Sequence, residues 1–138
     1  IAEGILRQKL KENNLKGYVA SAGTMHWHQG KPPHPSSQQI CKNNGVDISQ
    51  QRSQLFQHEM FQAFDWIIAM DELNKVDLLL LCQNETERNK IILFSDVIPN
   101  YQPKNVPDPY YGDFSDYERV YKIINELCQA FIEKYFIQ

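Results

Sequence analysis

Apolar positions recur along the chain in two rhythms. In residues 1–13, Ile1, Ile5, Leu6 and Leu10 fall on one side of a 3.6-residue repeat, with Arg7, Gln8, Lys9, Lys11 and Glu12 around the rest. That spacing predicts an amphipathic helix, stopped by Asn13 and Asn14. A second long repeat, Val120, Ile123, Ile124, Leu127, Phe131 and Tyr135, predicts a helix over residues 115–136 with that side inward. Between the two lie short apolar runs: G-Y-V-A-S at 17–21, D-W-I-I-A-M at 65–70 and K-I-I-L-F at 90–94. The last two are nearly uniform, as expected of strands buried on both faces of a parallel sheet. Further helices are predicted over residues 35–44, with Gly45 as the C-cap, over 58–64, and from 71 to about 82. Residues 30–35 carry three prolines and read as a loop.

Helices and short strands alternate, so the expected fold is α/β, a parallel sheet covered by helices on both sides. No repeat, low-complexity tract or linker divides residues 1–138, and one domain is expected. The order has a gap at its front. A right-handed βαβ unit places its first helix between two strands, whereas here a strand follows the first helix and none precedes it. The chain also starts at Ile1 rather than methionine. The pattern predicts a strand and a turn upstream of Ile1.

Composition narrows the function classes. With 138 residues, 42% apolar and 22% charged, the chain is long enough for a real core. A net charge of −3 does not advertise a nucleic acid or an anionic membrane as partner. The longest uniform apolar run is Leu78, Leu79, Leu80, Leu81 and Cys82, far short of a membrane span. Three widely spaced cysteines, Cys41, Cys82 and Cys128, read as reduced thiols. Neither a leader peptide nor a metal or cofactor is expected, and the cytoplasm is the expected compartment.

The candidate chemistry lies in V-P-D-P-Y-Y-G-D at residues 106–113, the loop after the 90–94 strand. Open parallel sheets bind ligands beyond the carboxyl ends of their strands. Pro107 and Pro109 restrict the backbone on both sides of Asp108, which suits a positioned general acid. Tyr110 and Tyr111 suit the wall of a cleft for an aromatic leaving group. On the octapeptide alone, an ordinary Asp-Pro turn with surface tyrosines is the better reading.

Four stretches in order change that balance: I-A-E-G-I-L at 1–6, S-A-G-T at 21–24, F-D-W-I-I-A-M-D at 64–71 and D-P-Y-Y-G at 108–112. Together they resemble the low-molecular-weight protein tyrosine phosphatases over the whole chain. The resemblance implies a flavodoxin-like, three-layer α/β/α fold with a four-stranded parallel sheet. It implies hydrolysis of phosphotyrosine and aryl phosphate monoesters through a phosphocysteine intermediate. In that family a C-x5-R-S-P loop cradles the phosphate on backbone N–H groups and a helix N-terminus, and directly precedes I-A-E. The nucleophilic cysteine, the phosphate-binding arginine and the first strand are therefore expected upstream of Ile1, and the chain as given is expected to be inactive.

The same resemblance makes Asp108 the general acid and base, Trp27, Tyr110 and Tyr111 substrate-side aromatics, and Ser21 a support of the phosphate loop. Its implied partners are phosphotyrosine proteins, with a tyrosine kinase as a candidate, acted on by a monomer or weak dimer. The sequence departs from the family where H-x-[AS]-R is usual: residues 51–54 read Gln51, Arg52, Ser53 and Gln54. His26, His28 and His34 are not family features and read as solvated loop histidines.

Two decoys are set aside. Cys82 to Arg88 fits C-x5-R, but it lacks glycine, carries Glu85 and Glu87, and follows a helix, so it reads as a helix end and a solvated loop. Asp71 with Glu72 reads as a helix start rather than a catalytic pair. Two other functions remain open: a non-catalytic pseudophosphatase acting as a binding module, and arsenate reduction on the same fold, which needs cysteines placed for a disulfide relay.

Overall fold

The computed structural model describes residues 1–24 and 30–137. In chain order the elements are helix α1 (Ala2–Glu12), α2 (Pro35–Asn43), α3 (Met60–Ala63), strand β1 (Ile67–Ala69), α4 (Glu72–Leu81), α5 (Glu85–Arg88), strand β2 (Ile91–Leu93), a 3-10 turn (Phe94–Val97) and α6 (Phe114–Tyr135). β1 and β2 pair in parallel, Ile67 opposite Ile91 and Ala69 opposite Leu93. The crossover between them runs through α4 and α5, as parallel pairing requires.

Strand alternation sorts the side chains of this pair to two faces. Ile67, Ala69, Ile91 and Leu93 pack with Phe61 of α3 and Leu78 of α4. Ile68 and Ile92 lie against the larger cluster, in which Ile5, Leu6 and Leu10 of α1 meet Val120, Ile124, Leu127 and Phe131 of α6. A third cluster joins Ile40 and Cys41 of α2 to Val46, Ile48 and Tyr117. Helices thus cover both faces of the pair, and the periodic apolar stripes of α1 and α6 are the ones buried.

Local chemistry sets the helix ends. Asp71 Oδ1 accepts the Asn74 N–H at 2.7 Å and starts α4. α6 begins with a capping box: Asp113 Oδ1 accepts the Asp116 N–H at 3.2 Å, and Asp116 Oδ2 accepts the Asp113 N–H at 3.0 Å. After α2, Asn44 is the C-cap and Gly45 follows at φ +77°, the left-handed position that glycine takes most easily.

Two expectations are corrected. Residues 85–88 are not a solvated loop: they form α5, and Glu87 is buried, accepting from the Gln83 N–H at 2.7 Å and bonded to His58 Nε2 at 3.0 Å. Residues 17–21 enter no ladder among the described residues. The Val19 carbonyl accepts from Arg7 Nη2 at 2.7 Å, and the Ser21 carbonyl accepts from Gln54 Nε2 at 2.9 Å. Residues 17–22 and β1 both line a cavity of about 690 Å³, and among the described residues no ladder joins them. Of the three strands expected downstream of Ile1, two pair as β1 and β2 and the stretch at 17–21 does not pair.

Candidate active site

The cavity gathers the chain ends that matter chemically. Residues 19–22, the end of β1 with Met70 and Asp71, the start of α1 at Ile1, Ala2 and Glu3, and Pro107, Asp108 and Pro109 all line it. The first turn of α1 supplies N–H groups without helical partners and the positive end of the helix dipole.

The loop bearing Asp108 is fastened on several sides. The buried Val106 donates its N–H to the Met70 carbonyl at 3.0 Å, tying the loop to the end of β1. Asn105 Oδ1 accepts the Glu72 N–H at 2.8 Å, tying it to the start of α4. Ser95 Oγ donates to the Lys104 carbonyl at 2.5 Å. Asp108 Oδ1 accepts the Tyr110 N–H at 3.0 Å, an Asx turn that sets the direction of an otherwise exposed carboxylate. A turn closed by the Gly112 N–H on the Pro109 carbonyl, at 2.7 Å, projects Tyr110 and Tyr111 outward. Their rings meet edge to face at 4.9 Å, and Tyr111 is 96% exposed.

Tyr117 lies beneath this turn. It is buried, and its hydroxyl makes a long, 3.4 Å bond to the Tyr110 carbonyl. Burial first, and then the negative charge of Asp108, pushes the Tyr117 pKa up, so it stays a phenol and a donor.

Across the cavity, Ser21 Oγ donates to Glu3 Oε1 at 2.7 Å, while Glu3 Oε2 accepts from Arg7 at 2.8 Å. Arg7 also holds the Val19 carbonyl. Ser21 is thus latched to the first turn of α1, on the same cavity as Asp108. The structure therefore brings Asp108 and Ser21 to one cavity and leaves Tyr110 and Tyr111 on the loop beyond its edge. Trp27, with His26 and His28, lies outside the described residues.

The third loop histidine departs from expectation: His34 is half-buried and caps α2, its Nδ1 accepting the Ser36 N–H at 3.0 Å. The Glu3–Arg7 latch and Tyr117 were not singled out from the sequence either. The i, i+4 spacing of Glu3 and Arg7 and the placement of His34 just before a proline-led helix were the available signals.

None of the three cysteines is an activated nucleophile. Burial pushes the Cys41 thiol up and takes Cys128 to about 12. Cys82 is raised by burial and then by the charge of Glu87. Among the described residues no cluster of three or more His, Cys, Asp or Glu side chains is arranged to hold a metal ion, and no helix is long and apolar enough to cross a membrane.

The profile of the low-molecular-weight phosphotyrosine protein phosphatases matches residues 1–136. The chain belongs to that family. Among curated relatives, the low-molecular-weight protein-tyrosine-phosphatase PtpA of Staphylococcus saprophyticus is 36% identical over 134 residues, covering 96% of this chain and 82% of its own. Among solved structures, a protein tyrosine phosphatase from Entamoeba histolytica superposes with a TM-score of 0.90 at 30% identity, over 96% of this chain and 85% of that one. Wzb of Vibrio vulnificus, solved in complex with benzylphosphonate, gives a TM-score of 0.82 at 26% identity, over 96% and 87%. These neighbours share an α/β architecture with this family member, whose homologues are phosphatase enzymes.

Proposed function

We propose that this protein hydrolyses phosphotyrosine and other aryl phosphate monoesters through a phosphocysteine intermediate, with Asp108 as the general acid and then the base. The observation that carries the reading is the position of Asp108: a backbone-directed carboxylate beside a cavity that also receives the first turn of α1. The benzylphosphonate held by a structural relative is of the same chemical class, an aromatic ring joined to a phosphorus oxyanion.

In this reading a C-x5-R-S-P loop ahead of Ile1 enters the cavity between residues 17–22 and β1. Its thiolate attacks phosphorus, the P–O bond breaks, and Asp108 gives its proton to the departing phenolate. Water then attacks the phosphocysteine, Asp108 takes its proton, and the S–P bond breaks to release phosphate. Ser21 supports the loop from its place beside Glu3. Tyr110 and Tyr111 offer one wall to the substrate ring and Trp27 the other. The substrates are phosphotyrosine proteins, a tyrosine kinase among them, met in the cytoplasm.

The test is steady-state hydrolysis of an aryl phosphate by the protein with the preceding loop present. Asp108→Ala should lower kcat by roughly 10²–10⁴-fold, the range for a positioned general acid. Substituting the loop cysteine with serine should abolish turnover. The 138-residue chain alone should hydrolyse nothing, because its three thiols are unactivated. An Asp108→Ala variant as fast as its parent sinks the assignment.

A further inference from the structure

We propose that His34 is a positioning residue for the acid loop: its ring, seated on Tyr117, clamps Tyr110 and so sets how well the site separates aryl from alkyl phosphates. The kinetic consequence rests on the phosphatase reading above. The clamp itself rests on geometry alone.

Three contacts converge on the one imidazole. Nδ1 accepts the Ser36 N–H at 3.0 Å and caps α2, which fixes the ring on its backbone. One face stacks on the buried Tyr117, with centroids 5.2 Å apart and planes within 22°. Tyr110 packs edge-on, at 5.3 Å and 71°. Each arrangement is a favourable one for rings carrying quadrupoles.

Tyr110 is where this support reaches the chemistry. Its carbonyl receives the Tyr117 hydroxyl and its N–H directs Asp108 Oδ1. The start of α2, the first turns of α6 and the acid loop are thereby joined at a single residue. A capping aspartate or serine at position 34 would start α2 equally well, but neither has a ring to hold Tyr110. An aromatic leaving group has to pass the tyrosine wall, whereas a small alkyl phosphate has nothing to stack there. The clamp therefore acts on substrate choice.

Two substitutions separate the cap from the ring. His34→Asn keeps an acceptor for the Ser36 N–H and removes the ring. His34→Phe keeps the ring and removes the acceptor. An edge-to-face aromatic contact is worth about a two- to tenfold change in an equilibrium. Two readouts apply: nitration of Tyr110 relative to Tyr111 by tetranitromethane, followed by peptide mass, and the ratio of kcat/KM for an aryl phosphate to that for an alkyl phosphate.

His34→Asn should raise relative nitration of Tyr110 and lower the kinetic ratio, each by about two- to tenfold. His34→Phe should leave both near the parent values, and the effect of His34→Asn on the kinetic ratio should vanish in a Tyr110→Leu background. If His34→Phe moves both readouts as far as His34→Asn does, a ring at position 34 is not what holds Tyr110 and the proposal fails. It fails equally if His34→Asn moves neither readout. A parent protein that turns over no aryl phosphate defeats the phosphatase reading, while the nitration ratio still decides the clamp.

Discussion

Gly112→Ala should destabilise the protein by about 1 kcal/mol, and the loss should shrink when the Asp116 carboxyl is removed first. Gly112 ends the turn that carries Tyr110 and Tyr111 and sits one residue before the cap of α6. An alanine Cβ there would lie 2.9 Å from both Cβ and Cγ of Asp116, and closer still to its Oδ2. Nonbonded carbons prefer about 3.5–4.0 Å, so the Asp116 carboxyl has to swing away and the backbone has to give at its Cβ. It then gives up the 3.0 Å bond from the Asp113 N–H, half of the capping box. Losing a cap interaction costs about 0.5–2 kcal/mol. At about 2.1 cal/mol/K of unfolding entropy per residue over 138 residues, 1 kcal/mol moves Tm by roughly 3 °C.

Asp116→Ala removes the bond and the Cγ and Oδ2 atoms of the obstacle, leaving the Cβ contact at 2.9 Å. It should cost a similar amount alone, and Gly112→Ala on that background should cost clearly less than in the parent. Thermal unfolding of the four proteins, followed by far-UV circular dichroism, completes the cycle. Strictly additive losses would refute the collision argument, as would a Gly112→Ala protein as stable as its parent.

Three further outcomes follow from the geometry. The Gln83 N–H, followed by His58, holds the Glu87 carboxyl below its usual range. A depressed carboxylate contributes stability above its unfolded pKa and loses it as pH falls through the folded value, so Glu87→Gln should melt lower near pH 7 and lose less stability on acidification; a variant with the parent's acid profile contradicts this. At neutral pH, Cys41 and Cys128 should resist a disulfide reagent until the protein unfolds, and serine at Cys82 should leave aryl phosphate turnover intact; rapid labelling of both buried thiols would reopen the arsenate-reduction reading. Ser21→Ala removes the 2.7 Å bond to Glu3, worth about 0.5–1.5 kcal/mol, and should lower Tm by a few degrees; an unchanged Tm would mean the latch holds through Arg7 alone.

Periodicity made the helices legible. The repeat Val120, Ile124, Leu127, Phe131 predicted the inner side of α6, and Ile5, Leu6 and Leu10 that of α1, because a helix buries a stripe that the sequence must encode locally. β1 and β2 were legible as uniform apolar runs, though pairing trimmed each to three residues. Residues 17–21 misled because strand character is not strand pairing: a ladder needs a neighbour within about 5 Å, which no local pattern specifies. Glu87 misled for a related reason. A glutamate in a polar stretch reads as solvated, and only the tertiary approach of His58 and Gln62 buries it.

The site divided along the same line. Asp108 was legible because two prolines and a D-P-Y-Y-G motif mark it within a few residues. Its supports were not, since Tyr117 and His34 reach it from α6 and from the start of α2, distant in sequence. The Glu3–Ser21 bond likewise joins residues 18 positions apart.

The most direct test of the central claim is the dependence of kcat on leaving-group pKa, measured with a series of substituted phenyl phosphates for the parent protein and for Asp108→Asn. If Asp108 protonates the departing oxygen, the parent should be nearly indifferent to the leaving group. The variant should slow steeply as the phenol pKa rises, with poor leaving groups losing about 10²–10⁴-fold. Parallel lines for the two proteins, whatever their absolute rates, would mean that the proton comes from elsewhere and would contradict the role assigned to Asp108.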